Sequence, residues 1–494
     1  MRDLKMNLAS LKLTSLLLCL VVGTLLIFVT GCKSSTEPEK TATLIGKIKL
    51  ESETKLKSQS LTDNSGVTVA LYRTAVLDTT IARINTIHPN IGVIINQETE
   101  FDHRNQAPLF TTTTNIAGEF SIASIPAGAY NAAILKNGWS VKYLYNVSLT
   151  AGLTSDVGEL LVKPSISLSG YIANDYTFQA DRTYLINTTT SFASPVVIET
   201  GARIYVAANE SVKFYSMLTA FSSNSVEKFW KFDSSQNLYQ TTGAPVDSTS
   251  YISEIDVYQG CLLNSGLIRN IRYGVNVSGG NCTISSFELR DFGSGFYFDQ
   301  NVNAQLSNLS IRNGGSKGIH AMGYADSLRV EKSIFSNNYE GILINGRGVS
   351  VQDTYFINNV SAIRPQVNSG VVRYCNFWGN GHDIWLYNSI CNINNNNFYY
   401  SKEYTIFPRR IIQLRNNNFF KTDYRFITIR GYDANNSIVN GDVDASQNYW
   451  AVSDIDDYII DATDNPSYPG LECAFYIKYL PKKNSPVLTA GIRG

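Results

Sequence analysis

A chain of 494 residues exceeds one ordinary domain and calls for at least two cores. Its 41 basic and 41 acidic residues balance, and no long like-charge run interrupts them, which excludes the polycationic face that nucleic acid requires. With 29 Tyr and 23 Phe among abundant Asn, Ser, Thr and Gly, the composition favours short strands and tight turns, an all-β class.

Residues 1–31 read as an address. Arg2, Lys5 and Lys12 precede the apolar run "LTSLLLCLVVGTLLIFV", the charged-then-apolar order of a secretory signal peptide. A retained span is the alternative, since the run is nearly long enough to cross a bilayer. The run closes on Val29-Thr30-Gly31-Cys32, which resembles the bacterial lipobox. That resemblance implies a lipoprotein whose mature chain begins at a diacylated Cys32, so that acyl chains hold it to the membrane. Three basic residues and one acidic residue leave with the signal, so the remainder carries a charge near −2. Lys33 stands where many inner-membrane lipoproteins carry aspartate, which implies the outer membrane, with the protein either periplasmic or surface-exposed.

Export sets an oxidising compartment. Besides Cys19 and Cys32 the chain holds Cys261, Cys282, Cys375, Cys391 and Cys473, an odd number that leaves at least one unpaired within the chain. No CxxC occurs and His88, His103, His320 and His382 are scattered, so zinc is not indicated and buried thiols are expected. No cofactor is implied, with calcium left open.

Residues 32–42 form a polar tether. From 43 to 165 the chain alternates as short strands do, through "TLIGKIKL", "GVTVALYRT" and "TTTTNIAGEFSIASIPAGAYNAAILKNGW". Gly46, Gly66-Val67, Asn115, Gly118, Phe120, Ile125, Gly128 and Tyr130 fall on a motif similar to that of carboxypeptidase regulatory-like, or prealbumin-like, domains. The resemblance implies a small β-sandwich that acts as a non-catalytic stalk or adhesion platform. Residues 76–110 read as an insertion that such a domain does not need.

From 166 to 480 the sequence repeats. Phe335, Phe356, Phe377, Phe398 and Phe419 recur at 21-residue steps, preceded by the column Val330, Val351, Val372, Ile393 and Leu414. A third column reads Ile342, Ile363, Ile384, Thr405 and Phe426, while Leu289 and Ile311 extend the aromatic column upstream at steps of 22 and 24. Three apolar columns at this period describe a solenoid of coils of about 21 residues, about a dozen in number. Asn338, Asn359 and Asn380 share a turn column and are expected to form a stacked amide ladder, as are Asn396 and Asn417. The opening Val197–Ile204 and the close Asn448-Tyr449-Trp450 resemble those of right-handed parallel β-helix proteins of the pectate-lyase-like class, a fold that carries enzymes, adhesins and inert stalks alike. Residues 481–494 form a C-terminal tail.

Chemistry on such a scaffold sits in outward columns. Arg364, Trp385, Tyr387, Tyr404 and Arg425 gather aromatic faces and charge in the way a polysaccharide is held, and make glycan-binding candidates. His382, Asp383 and Glu403 are the acid–base candidates, since His382 and Glu403 fall on adjacent coils. Neither the carboxylate cluster of a calcium-dependent lyase nor the several aspartates of a hydrolase is visible. The sequence therefore points to an envelope lipoprotein that binds polysaccharide or builds envelope structure, with a polysaccharide lyase or glycoside hydrolase as the alternative.

Overall fold

The computed structural model describes residues 41–51, 63–222, 225–299, 302–325, 327–386, 389–407, 413–422, 425–428, 441–460 and 475–493. Cys32, Tyr387 and Cys473 lie outside them. The N-terminal part holds two small sheets. One orders the strands Glu119–Ile125, Ala42–Leu50 and Thr154–Val162; the other orders Phe110–Thr113, Thr68–Arg73, Gly128–Leu135 and Lys142–Leu149. Their inner faces share one apolar core that includes Leu44, Ile48, Val69, Leu71, Phe120, Ile122, Ala132 and Ile134. The motif residues have physical reasons. A Cβ on Gly46 would stand 2.8 Å from the Phe120 ring, and Gly118 has φ +85° in a turn that Asn115 closes by accepting the Glu119 N–H at 2.9 Å. The Tyr130 hydroxyl donates to the Pro126 carbonyl at 2.8 Å, tying its strand to the preceding turn.

Between Arg73 and Phe110 the chain becomes helical, which alternation in the flanking strands does not announce. Helix α1 (Thr79–Ile87) is capped by Asp78, whose side chain accepts from the Thr80 and Ile81 N–H groups. The one-turn helix α2 (Gln97–Glu100) starts at a capping box made by Asn96 and Thr99.

From Ile166 onward the strands pair in parallel, each with the strand one coil further along. The aromatic column is longer than the repeat alone shows. It runs Ile166, Tyr184, Ile204, Phe232, Ile268, Leu289, Ile311, Phe335, Phe356, Phe377, Phe398, Phe419 and Trp450. The Phe335, Phe356, Phe377, Phe398 and Phe419 rings stack at centroid distances of 4.9–5.1 Å, and Trp450 closes the stack at 4.2 Å. That spacing is the inter-strand rise of a sheet, so strand pairing and ring stacking enforce the same register.

The asparagine ladders form as expected, amide to amide between coils, and the backbone groups that Asn338 and Asn359 bond belong to the neighbouring coils rather than to the turn of their own. Asn359 Oδ1 accepts both the backbone N–H and the side-chain N–H of Asn338 at 3.0 Å, while its own Nδ2 donates to the Phe335 carbonyl at 3.0 Å. Asn380 repeats this toward Asn359, and Asn396, Asn417 and Asn448 build a second ladder. Each turn thus satisfies buried backbone groups of its neighbour.

The third apolar column needs correction. Ile384 pairs with Ile406, and Ile406 with Ile427, so Thr405 and Phe426 are not its members. The coil after Ile384 advances by 22 residues, the same loosening seen upstream. The extra residue falls between Phe398 and Tyr404, because Phe377 and Phe398 are still paired at a step of 21 whereas His382 pairs with Tyr404 at a step of 22.

Candidate functional site

Four strands stacked on successive coils, Glu340–Gln352, Ser361–Arg373, His382–Trp385 and Tyr404–Phe407, carry the candidate side chains. Their register runs Glu340, Ser361, His382 and Tyr404, followed by Arg425 as the strand partner of Tyr404, with Leu343 opposite Arg364 in a neighbouring column. Arg364 donates through Nη1 to Glu340 Oε1 at 3.0 Å, and its guanidinium carbon lies 4.8 Å over the Trp385 ring. The His382 ring sits 5.1 Å from Trp385 and 5.4 Å from Tyr404, and Phe407 meets Trp385 edge-on at 5.8 Å.

The structure thus brings Arg364, His382, Trp385, Glu403 and Tyr404 into one strip, joined by Glu340. Glu403 stands one residue out of register, because Tyr404 is the strand partner of His382, yet its Oε2 still reaches His382 Nε2 at 3.1 Å. Burial lowers the His382 pKa from its ordinary value even though Glu403 pulls the other way, so at neutral pH the contact is an N–H donated by neutral imidazole to an exposed carboxylate. Arg425 is placed by its backbone, opposite Tyr404. Leu343 and Ile406 are buried, and Phe407 takes the outward position beside Trp385 that the 21-residue period assigns to Ile406.

Asp383 does not join the strip. Its side chain turns inward, fully buried, where it accepts from Asn380 Nδ2 at 2.8 Å and from the Ser401 hydroxyl. Burial pushes its carboxyl up to about 7. It caps an asparagine ladder and is a structural group.

Two features escaped the sequence. The residues after the last three stacked phenylalanines form a second, outer aromatic row, with Trp378 half exposed and 5.4 Å from Tyr399, and Tyr399 stacked on Phe420 at 4.5 Å. The signal was present as a repeated aromatic pair, Phe377-Trp378, Phe398-Tyr399 and Phe419-Phe420. The second feature lies under the helical insertion. Glu98, Glu100, Asp102 and Arg104 descend onto a solenoid face bearing Arg203, Glu227, Lys231, Asp233, Arg269, Glu288, Arg290 and Arg312, and nearly all of these side chains are buried. Formally the insertion contributes −2 and the face +2. Arg290 donates to Glu100 at 2.8 Å, Arg312 bonds both Glu100 and Glu288, and Arg104 bonds Asp102 at 2.7 Å while also reaching Asp233. Burial alone would raise the Glu100 pKa, but Arg290 and Arg312 hold it below the usual carboxylate value. No sequence pattern links Glu100 to Arg312, because the pairing spans 212 residues.

Over residues 258–371 the chain matches the family model described as right handed beta helix region. The solenoid is a right-handed parallel β-helix. Comparison with curated proteins and with solved structures finds no match. Among the described residues of this β-helix protein, no helix is long and apolar enough to cross a membrane, and no three His, Cys, Asp or Glu side chains converge as metal ligands.

Proposed function

We propose that this protein is an outer-membrane lipoprotein, anchored through Cys32, that displays its β-helix outward from a prealbumin-like stalk to bind an extracellular polysaccharide. The carrying observation is the strip in which Glu340, Arg364, Trp385, His382, Glu403 and Tyr404 stand on neighbouring coils, with the outer row of Trp378 and Tyr399 across the turn at 379–381. Indole and phenol groups pack against sugar C–H faces, while paired carboxylate, guanidinium and imidazole offer donors and acceptors to hydroxyls. Two carboxylates, Glu340 and Glu403, against Arg364 and, next in register, Arg425 leave the strip without net positive charge, which favours a neutral glycan over a polyuronate.

Titration of the purified protein against a panel of neutral and acidic polysaccharides tests this. A neutral glycan is expected to bind, with at least tenfold weaker affinity after Trp385→Ala. Absence of binding to every member, or binding untouched by Trp385→Ala, sinks the reading. Release of reducing ends or unsaturated uronates in the same samples would favour the enzyme alternative, with His382 and Glu403 as its proton-transfer pair.

A further inference from the structure

Residues 483–493 run back along the outside of the β-helix. They make directed bonds with the solenoid while burying little of themselves. Asn376, Asn397 and Asn418 form one outward register column, and their amides bond one another at 3.0 and 2.8 Å. Asn418 then treats the passing backbone as a neighbouring strand would, accepting the Val487 N–H at 2.7 Å and donating to the Val487 carbonyl at 3.0 Å. Asn397 donates to the Ala490 carbonyl at 3.3 Å, and the Gly491 N–H donates to the Asn395 carbonyl at 2.7 Å.

Three side-chain positions add selectivity. Gly491 has φ +88°, and a Cβ there would stand 2.7 Å from Asn376 Oδ1, so glycine alone fits. Ile492 packs against the apolar cluster of Ile81, Ile84, Ile334 and Ile357, which joins helix α1 to the solenoid. Arg493 grips the buried carboxylate of Asp353 with two nitrogens, Nε at 3.0 Å, and lies 4.0 Å over the Tyr374 ring. By contrast Leu488 is 97% exposed, and no sheet strand of the solenoid includes residues 487–493. The segment is seated by a short list of specific contacts, as a bound peptide is.

We propose that this face is a peptide-recognition site that reads an extended segment containing Gly-Ile-Arg. Its ligand in cis is the chain's own 487–493, and the same segment of a second copy binds there once the resident one is released. Tethering gives the resident segment an effective concentration of order mM, so exchange in trans requires that it be weakened first.

The full-length chain carrying Gly491→Val and Arg493→Ala provides that released state, and a fluorescently labelled peptide of residues 484–493 is the probe. Anisotropy should report saturable binding to this variant and none to the wild type. Adding Asp353→Asn, or replacing glycine by valine in the peptide, should weaken it at least tenfold. If the released variant unfolds cooperatively at the wild-type midpoint and still fails to bind the peptide, the proposal falls. Hydrogen exchange on the wild type gives an independent check that needs no variant. The Val487 and Gly491 amides should exchange through a local opening, at least tenfold faster than those of strand Asn376–Trp378; exchange only together with that strand would make the segment an integral part of the fold and overturn the proposal.

Discussion

Cys261 and Cys282 stand opposite each other on adjacent coils, with their Sγ atoms 2.6 Å apart inside the core and both residues reduced. In-register side chains point in parallel, a poor start for the near-perpendicular dihedral that a disulfide prefers. The hydrogen bond with Cys261 and, after it, burial raise the Cys282 pKa well above its ordinary value, so Cys282 offers little thiolate to attack an oxidant. Under denaturing, non-reducing conditions, intact-mass analysis should show both cysteines alkylated. Recovery of a peptide linking 261 to 282 would show oxidation instead.

The phenylalanine stack carries stability. Phe377 is fully buried between Phe356 and Phe398, with ring centroids 5.1 and 4.9 Å away. Phe377→Ala should open a cavity between coils and cost about 3–5 kcal/mol, read from the midpoint of denaturant unfolding. An unchanged midpoint would contradict the packing described.

Asp383 predicts a pH dependence of unusual sign. Its folded pKa of about 7 lies above the unfolded carboxylate value, so the folded state holds the proton more tightly. Its contribution to stability is fully present below the unfolded pKa and is lost as pH rises through about 7. Asp383→Asn keeps an acceptor for Asn380 without the buried charge. The variant should therefore melt several degrees higher than wild type at pH 8, with the difference shrinking toward pH 5. Equal melting shifts at both pH values would refute the assignment.

The insertion should behave as part of the β-helix. Arg312→Met removes one of the two cations shared by the buried carboxylates Glu100 and Glu288, with Arg290 the other, and is expected to cost about 3 kcal/mol. Combining it with Glu100→Gln should cost less than the two changes added separately, since each removes part of the charge that the other group balances, with Arg290 still on Glu100 and Glu288 still on Arg312 in the single variants. Strict additivity in that double-mutant cycle would mean the groups do not interact.

The proposed anchor makes a separate prediction. Cys32→Ser should leave the protein in the soluble fraction or accumulate it as uncleaved precursor, because a single lipidated cysteine supplies the membrane attachment. Fractionation and maturation identical to wild type would remove the lipoprotein reading and leave the β-helix untouched.

The sequence by itself determined the solenoid, its coil period and its stacked columns, because a parallel coil places like residues on like, and a short-range repeat records that contact directly. Phe335 to Phe419, the asparagine ladders and the Cys261–Cys282 register were all readable for this reason. The same counting failed by one residue after Ile384, where a 22-residue coil shifted Tyr404 into the place opposite His382. Nor did periodicity reveal that Asp383 turns inward, since strand alternation breaks where a coil bends. Tertiary structure alone decided what covers the solenoid: Glu100 on Arg312, and Arg493 on Asp353 across 140 residues. Such pairs join non-repeating segments to a repeating surface, and their energy comes from shared burial and charge neutralisation, which leave no periodic mark in the chain.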